Sequence, residues 1–163
     1  MSDYKHRKYK KKYLKLKKYI NQIGGFDNTP SEPMIHNKGF HVILDYSNLV
    51  SSETSEVLTN NIVKILEETV KVAELNVLDR SINVLGKNTG TPPGFAITYT
   101  LDQSHMTAHC YSNLGILAVD IFTCGDISKG KKAGEYFMKE IKMVYPMIAL
   151  RSKHLLKRFY YME

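Results

Sequence analysis

An α+β fold, an antiparallel sheet with two helices on one face, is what this 163-residue chain predicts. Three observations lead there. Several segments of strand length are apolar or alternate apolar and polar residues; two longer ones carry apolar residues at helical spacing. Their order reads β-α-β-β-β-β-α-β, and layered packing then puts both helices on the same side of the sheet. The length suits a single domain that buries its own core without metal or disulfide staples. No apolar run approaches the ~20 residues needed to span a bilayer.

Residues 1–25 hold nine Lys/Arg against one Asp, a charge of +8, so the remainder sums to −1 within the total of +7. The basic character belongs to this leader. Tyr9, Tyr13, Leu16, Ile20 and Ile23 fall on one helical stripe within it, which predicts an amphipathic basic helix. Such a helix suits nucleic acid or an anionic surface, and equally a solvated extension. Residues 26–38, with Pro30 and Pro33, form a linker, and the main domain spans 39–163. The leader lacks the apolar stretch of a secretory signal, so a cytoplasmic location with both cysteines as thiols is expected.

In the domain, Phe40 to Tyr46 is a first strand. Ser51 to Thr54 supply capping residues, and Val57, Leu58, Ile62, Ile65, Leu66, Thr69, Val70 and Ala73 follow with helical spacing to about Glu74. Val77 to Leu85 is a second strand. Gly86 to Gly94, with Pro92 and Pro93, is a loop. Strands follow from Phe95 towards Asp102, from Met106 to Tyr111 and from Leu114 to Cys124, the last two joined by a turn at Ser112 and Asn113. A second helix begins near Lys129, with Ala133, Phe137, Ile141 and Val144 on one face, and stops at Pro146. Met147 to Leu150 and Leu155 to Tyr161 are late strands or an irregular tail.

Thr98 to Gly125 concentrates the reactive side chains: Ser104, His105, His109, Cys110 and Cys124. Alternation puts Leu117, Val119, Ile121 and Thr123 on one face of a strand and Ile116, Ala118, Asp120, Phe122 and Cys124 on the other. Singly, each residue has a plain reading: Ser104 as a turn residue, His109 as a core histidine, Cys124 as a small buried apolar group. The zinc-type pairing Cys-x2-Cys is absent, which argues for no metal, and a Cys124/His109 thiol hydrolase has no supporting motif.

As a set, these residues resemble the small bacterial-type S-adenosylmethionine decarboxylase proenzymes. The resemblance rests on Ser104-His105, His109 five residues after the serine, and Asp120-Ile121-Phe122-Thr123-Cys124-Gly125-Asp126, with the cysteine twenty residues after the serine. It spans about residues 38 to 150 and includes Phe40-His41-Val42-Ile43-Leu44-Asp45 as the first strand. The family fold is a two-layer α/β sandwich that usually pairs as a homodimer. The leader, closing on Gly24-Gly25, resembles leaders of some giant-virus proteins, which implies host cytoplasm or virion.

The resemblance implies a covalent pyruvoyl cofactor. Decarboxylating an α-amino acid leaves a carbanion, and a ketone joined to the amine as a Schiff base gives its electrons somewhere to go. That ketone would come from Ser104 after self-cleavage between Gln103 and Ser104. His109 would remove the Cα proton of residue 104, and Cys124 would later protonate the substrate as general acid; an unperturbed thiol, pKa ~8.5, holds its proton at neutral pH. The implied activity is conversion of S-adenosylmethionine to its decarboxylated form for spermidine and other polyamines.

Three positions depart from the family pattern. Gln103 replaces Glu before the serine, Ala96 replaces a serine, and Tyr111-Ser112-Asn113 replaces Trp-Pro-Glu, which removes a carboxylate suited to a ribose diol. A pyruvoyl decarboxylase of ornithine or arginine is therefore the alternative within this fold. The alternative of another class is a non-catalytic protein that binds nucleic acid through its leader.

Overall fold

The structure, a computed structural model, describes residues 39–49, 53–86 and 90–158; the leader and linker lie outside the described residues. The elements are β1 (Gly39–Ser47), α1 (Ser55–Val72), β2 (Val77–Leu85), β3 (Gly94–Leu101), β4 (Ser104–Tyr111), β5 (Ile116–Cys124), α2 (Ile127–Val144) and β6 (Ala149–Arg158). The strands form one antiparallel sheet in the order β2-β3-β4-β5-β1-β6. The predicted fold class and element order are as observed.

Period-two alternation divides the sheet into two unlike faces. Phe40, Val42, Leu44 and Tyr46 of β1, Phe95, Ile97, Tyr99 and Leu101 of β3, Met106, Ala108 and Cys110 of β4, and Leu117, Val119 and Ile121 of β5 are buried. They meet Leu58, Ile62, Leu66 and Val70 of α1 and Ala133, Phe137 and Ile141 of α2 in one core. The opposite face of the central strands has no layer over it among the described residues.

Both helices start on side-chain caps. The Thr54 hydroxyl accepts from the Val57 amide, and the Asp126 carboxylate accepts from the Ser128 amide at 2.8 Å. Asp126 thus ends the turn after β5 and fixes where α2 leaves the sheet. Gly130 and Gly134 let α2 settle closely: a Cβ at Gly130 would lie 2.4 Å from Thr123 Oγ1, and one at Gly134 3.0 Å from Val42.

Some details differ from the sequence reading. Val57 and Val144 are exposed rather than buried, because each lies in a terminal turn that passes beyond the sheet. In place of two late strands or an irregular tail, Ala149–Arg158 is one continuous strand. It is an edge strand held by its ladder with β1, so it needs no buried face and shows no clear alternation.

Two glycine substitutions separate steric from conformational cost. A Cβ at Gly94 would sit 1.9 Å from the Cys110 carbonyl oxygen, so Gly94→Ala must push β3 from β4. Gly90 has φ +66° with open space around it. Denaturant melts should show Gly94→Ala losing about 3 kcal/mol and Gly90→Ala roughly 1 kcal/mol.

Candidate active site

The site begins at the β3–β4 hairpin. Leu101 pairs with Ser104 across a tip made of Asp102 and Gln103. Gln103 has φ 56°, the left-handed region that a residue with a Cβ occupies at a cost of roughly 1 kcal/mol. The Asp102 amide donates to the Asn76 carbonyl at 2.9 Å, which pins the tip to the loop after α1.

Across the other ladder, β4 pairs with β5, and the Cys124 amide donates to the Ser104 hydroxyl at 3.1 Å. Twenty residues apart in sequence, the serine and cysteine are neighbours. Both are partly buried at one end of the sheet. Cys110 is a different kind of thiol: it is fully buried in the core, and burial pushes its pKa up to about 12.

His109 lies elsewhere. Five strand steps separate it from Ser104, about 16 Å, and the alternation turns its side chain to the open face while Ser104 takes the register of the helix-covered face. An imidazole cannot cover that distance within one chain. Its ladder partners are Ala96 on β3 and Ala118 on β5, neither with a polar side chain to offer. His109 Nε2 is consequently buried with no hydrogen-bond partner, an arrangement that costs about 1–3 kcal/mol. Its ring rests against Tyr111, with centroids 4.8 Å apart. The absent hydroxyl at Ala96 and the histidine thus belong to the same end of the sheet.

Between these ends the open face carries groups that sequence reasoning treated as structural or did not place. His105, on β4, stacks on Phe122 of β5 at 5.3 Å, and His41 of β1 meets both rings edge-on. His41 Nε2 approaches Asp120 Oδ1 at 3.3 Å, and Arg158 lies over Phe122 at 5.9 Å. His41 Nε2 has no partner in hydrogen-bond geometry, so its approach to Asp120 is a close polar contact. The alternation of Phe40 to Tyr46 already puts His41 on the polar side of β1, but only the β1–β5 ladder reveals what it joins.

The described fold is a two-layer α+β sandwich that presents a serine, a thiol and histidines on one sheet. The chain belongs to the S-adenosylmethionine decarboxylase family, whose model matches residues 40–147. Members of that family are decarboxylases, carbon–carbon lyases.

Among relatives, the S-adenosylmethionine decarboxylase proenzyme of a Sulfurihydrogenibium species is 29% identical over 104 residues, covering 64% of this chain and 73% of that one. An arginine decarboxylase proenzyme of Hyperthermus butylicus is 29% identical over 111 residues, covering 68% and 74%. The solved adenosylmethionine decarboxylase of Aquifex aeolicus shares the fold, with TM-score 0.57, 24% identity, and coverage of 78% of this chain and 95% of that one. No helix among the described residues is long and apolar enough to cross a membrane.

The histidine cluster makes stability depend on pH. Burial holds the His105 imidazole below its ordinary value; His41 and Arg158 push the same way and Asp120 opposes them. Below an unfolded pKa of about 6.5 the unfolded chain binds a proton that folded His105 resists. Acidification through that window should therefore lower the urea midpoint, and His105→Asn should lose less stability over the same interval; equal losses would exclude His105 as the source.

Proposed function

We propose that this chain is a self-processing S-adenosylmethionine decarboxylase whose pyruvoyl cofactor is made from Ser104. The observation that carries this reading is the Ser104–Cys124 contact beside Gln103, a non-glycine residue in the left-handed region at a hairpin tip. A nucleophile, a strained neighbouring peptide and a thiol occupy one end of a rigid sheet, as such a cofactor requires.

Processing starts when Ser104 Oγ attacks the Gln103 carbonyl and the C–N bond gives way to an ester. A base then removes the Cα proton of residue 104, and elimination releases Gln103 as a new carboxylate. One water replaces the nitrogen, which departs as ammonia, and the second fragment begins with a ketone. Gln103 in place of Glu leaves this sequence intact, because the attacked atom is in the backbone.

The base is His109 of a second copy. Two chains stacked by their open faces, about a two-fold axis crossing β4 near Thr107, bring His109 of one to the level of residues 104 and 105 of the other. The same packing covers His41, Phe122 and Asp120 and gives the unpartnered His109 Nε2 something to face. A homodimer is thus part of the site.

When present, the pyruvoyl group supplies the electron sink for loss of carbon dioxide. Cys124, fixed beside residue 104 by its own amide, carries the proton for the substrate Cα. A thiol, protonated at its ordinary pKa of ~8.5, suits a proton donor at neutral pH. S-adenosylmethionine is the preferred substrate because the family match and the proenzymes of that name converge on it; arginine and ornithine are tested beside it.

Intact mass under denaturing conditions should show fragments 1–103 and 104–163, the second lighter than a hydrolysed fragment by one ammonia. Ser104→Ala should remain a single polypeptide. Chains carrying Ser104→Ala and chains carrying His109→Ala should each stay uncut alone, yet co-expression should cut the His109→Ala chain. Cleavage of that chain without its complement would return the base to the same molecule. Cys124→Ala should still be cut and lose about 10²-fold or more in turnover. Carbon dioxide release from each of the three substrates then identifies the one used.

A further inference from the structure

We propose that this chain carries a second binding site, for a small amphipathic carboxylate, in a cavity between the C-terminal end of α2 and the start of β6. It lies at the far end of the sheet from Ser104 and Cys124. Gly39 pairs with Cys124, and Tyr46, which lines the cavity, is seven strand steps further along β1, about 23 Å away. The site therefore serves no step of decarboxylation, and the proposal stands apart from that reading.

The cavity follows from how the chain turns. Tyr145 closes α2 with its amide on the Ile141 carbonyl at 2.9 Å, and the Ile148 amide donates to the Tyr145 carbonyl at 3.0 Å. Pro146, between them, cannot continue the helix. Strand β6 then joins β1 with a shift of register: Tyr46 pairs with Leu150 and Asp45 with Ser152, so Arg151 is the extra residue. A bulge bends the strand that carries it. Between this bend and α2 lies a cavity of about 540 Å³, within the range of about 300–1,000 Å³ typical of small-molecule sites.

Two polar groups meet an otherwise apolar lining. Met138, Met147, Ile148 and Leu150 form its walls, and thioether side chains adapt to the shape of a guest. Tyr46 is 4% exposed, and its hydroxyl is buried with no hydrogen-bond partner. Buried hydroxyls nearly always have one. Burial also raises its pKa, so the group is a neutral hydroxyl with a proton to donate. Lys142 stands on the α2 side. Its Nζ donates to the Pro146 carbonyl at 2.7 Å and the Ile148 carbonyl at 3.0 Å, which uses two of the three donors of an ammonium. No carboxylate lies within ion-pair distance of it among the described residues.

Charge selects the occupant. Residues 138–151 hold Lys139, Lys142 and Arg151 against Glu140, a sum of +2. One remaining ammonium donor and one hydroxyl suit a carboxylate, and the apolar walls suit a hydrocarbon tail. A phosphate calls for more donors than these two groups offer. A neutral ligand leaves the ammonium unmatched.

The test titrates decanoate, below its micelle-forming concentration, into full-length protein by calorimetry, with decan-1-ol and decylamine as controls of equal chain length. Decanoate should bind saturably, one per chain, and both controls about 10-fold more weakly. Lys142→Gln should weaken decanoate by about 10-fold, and Lys142→Arg should retain it. Tyr46→Phe should weaken it by about 5-fold while raising the urea midpoint of the ligand-free protein, because an unpartnered buried hydroxyl is removed. Met147→Asp, at an exposed position that the core does not depend on, should weaken decanoate and favour decylamine. No saturable binding of decanoate, equal binding of decylamine, or unchanged affinity in any of the three weakened variants would overturn the proposal. Capture by phosphatidylglycerol vesicles without binding of free decanoate would do the same, by making this surface a membrane contact.

Discussion

The register of β4 between its two neighbours is the constraint on which the rest depends. One ladder, with Leu101 opposite Ser104, fixes a tip of two residues and forces Gln103 into the left-handed region. The other ladder fixes Ser104 beside the end of β5, where the Cys124 amide reaches its hydroxyl. A slip of one residue in either would turn every side chain of β4 to the wrong face and put histidines into the core. Apolar burial enforces the register: Met106, Ala108 and Cys110 fit under the helices only when His105, Thr107 and His109 point away.

Both helices lie on one side of the sheet, and this asymmetry shapes the chemistry. Gly130 and Gly134 let α2 sit close to β1, which fills the apolar layer and leaves the polar one open. Two thiols illustrate the contrast. Cys110 faces the helices, and burial raises its pKa to about 12; Cys124 ends its strand at the rim, next to the serine. The same residue type is packing material in one place and a half-buried group beside a hydroxyl in the other.

Much of this was legible in the sequence because it is local. The alternation over Ile116 to Cys124 assigns both faces of β5 correctly, and Thr54, last of the capping residues Ser51 to Thr54, marks the start of α1; α2 starts at Ile127 on an Asp126 cap, two residues before the start near Lys129 that the spacing suggests. The offsets among Ser104, His109 and Cys124 carry the family, yet they do not convey distance. In sequence His109 is nearer the serine than Cys124 is; in the fold the order is reversed, because a strand extends five residues while a ladder closes twenty. The grouping of His41 with His105, Phe122 and Asp120 needs the β1–β5 ladder, which joins residues some eighty positions apart. Strand β6 shows no clear alternation because an exposed edge has no buried face to impose one.

The bond between residues 103 and 104 sits where two strands reverse direction, so a break there would touch the terminal rung, Leu101 with Ser104, and leave the seven pairs from Gly94–Tyr111 to Thr100–His105 in place. Residues 94–101 and 104–111 grip one another through the ladder whether or not a covalent link joins their ends. Architecture of this kind lets a protein trade chain continuity for a new functional group while remaining one folded object.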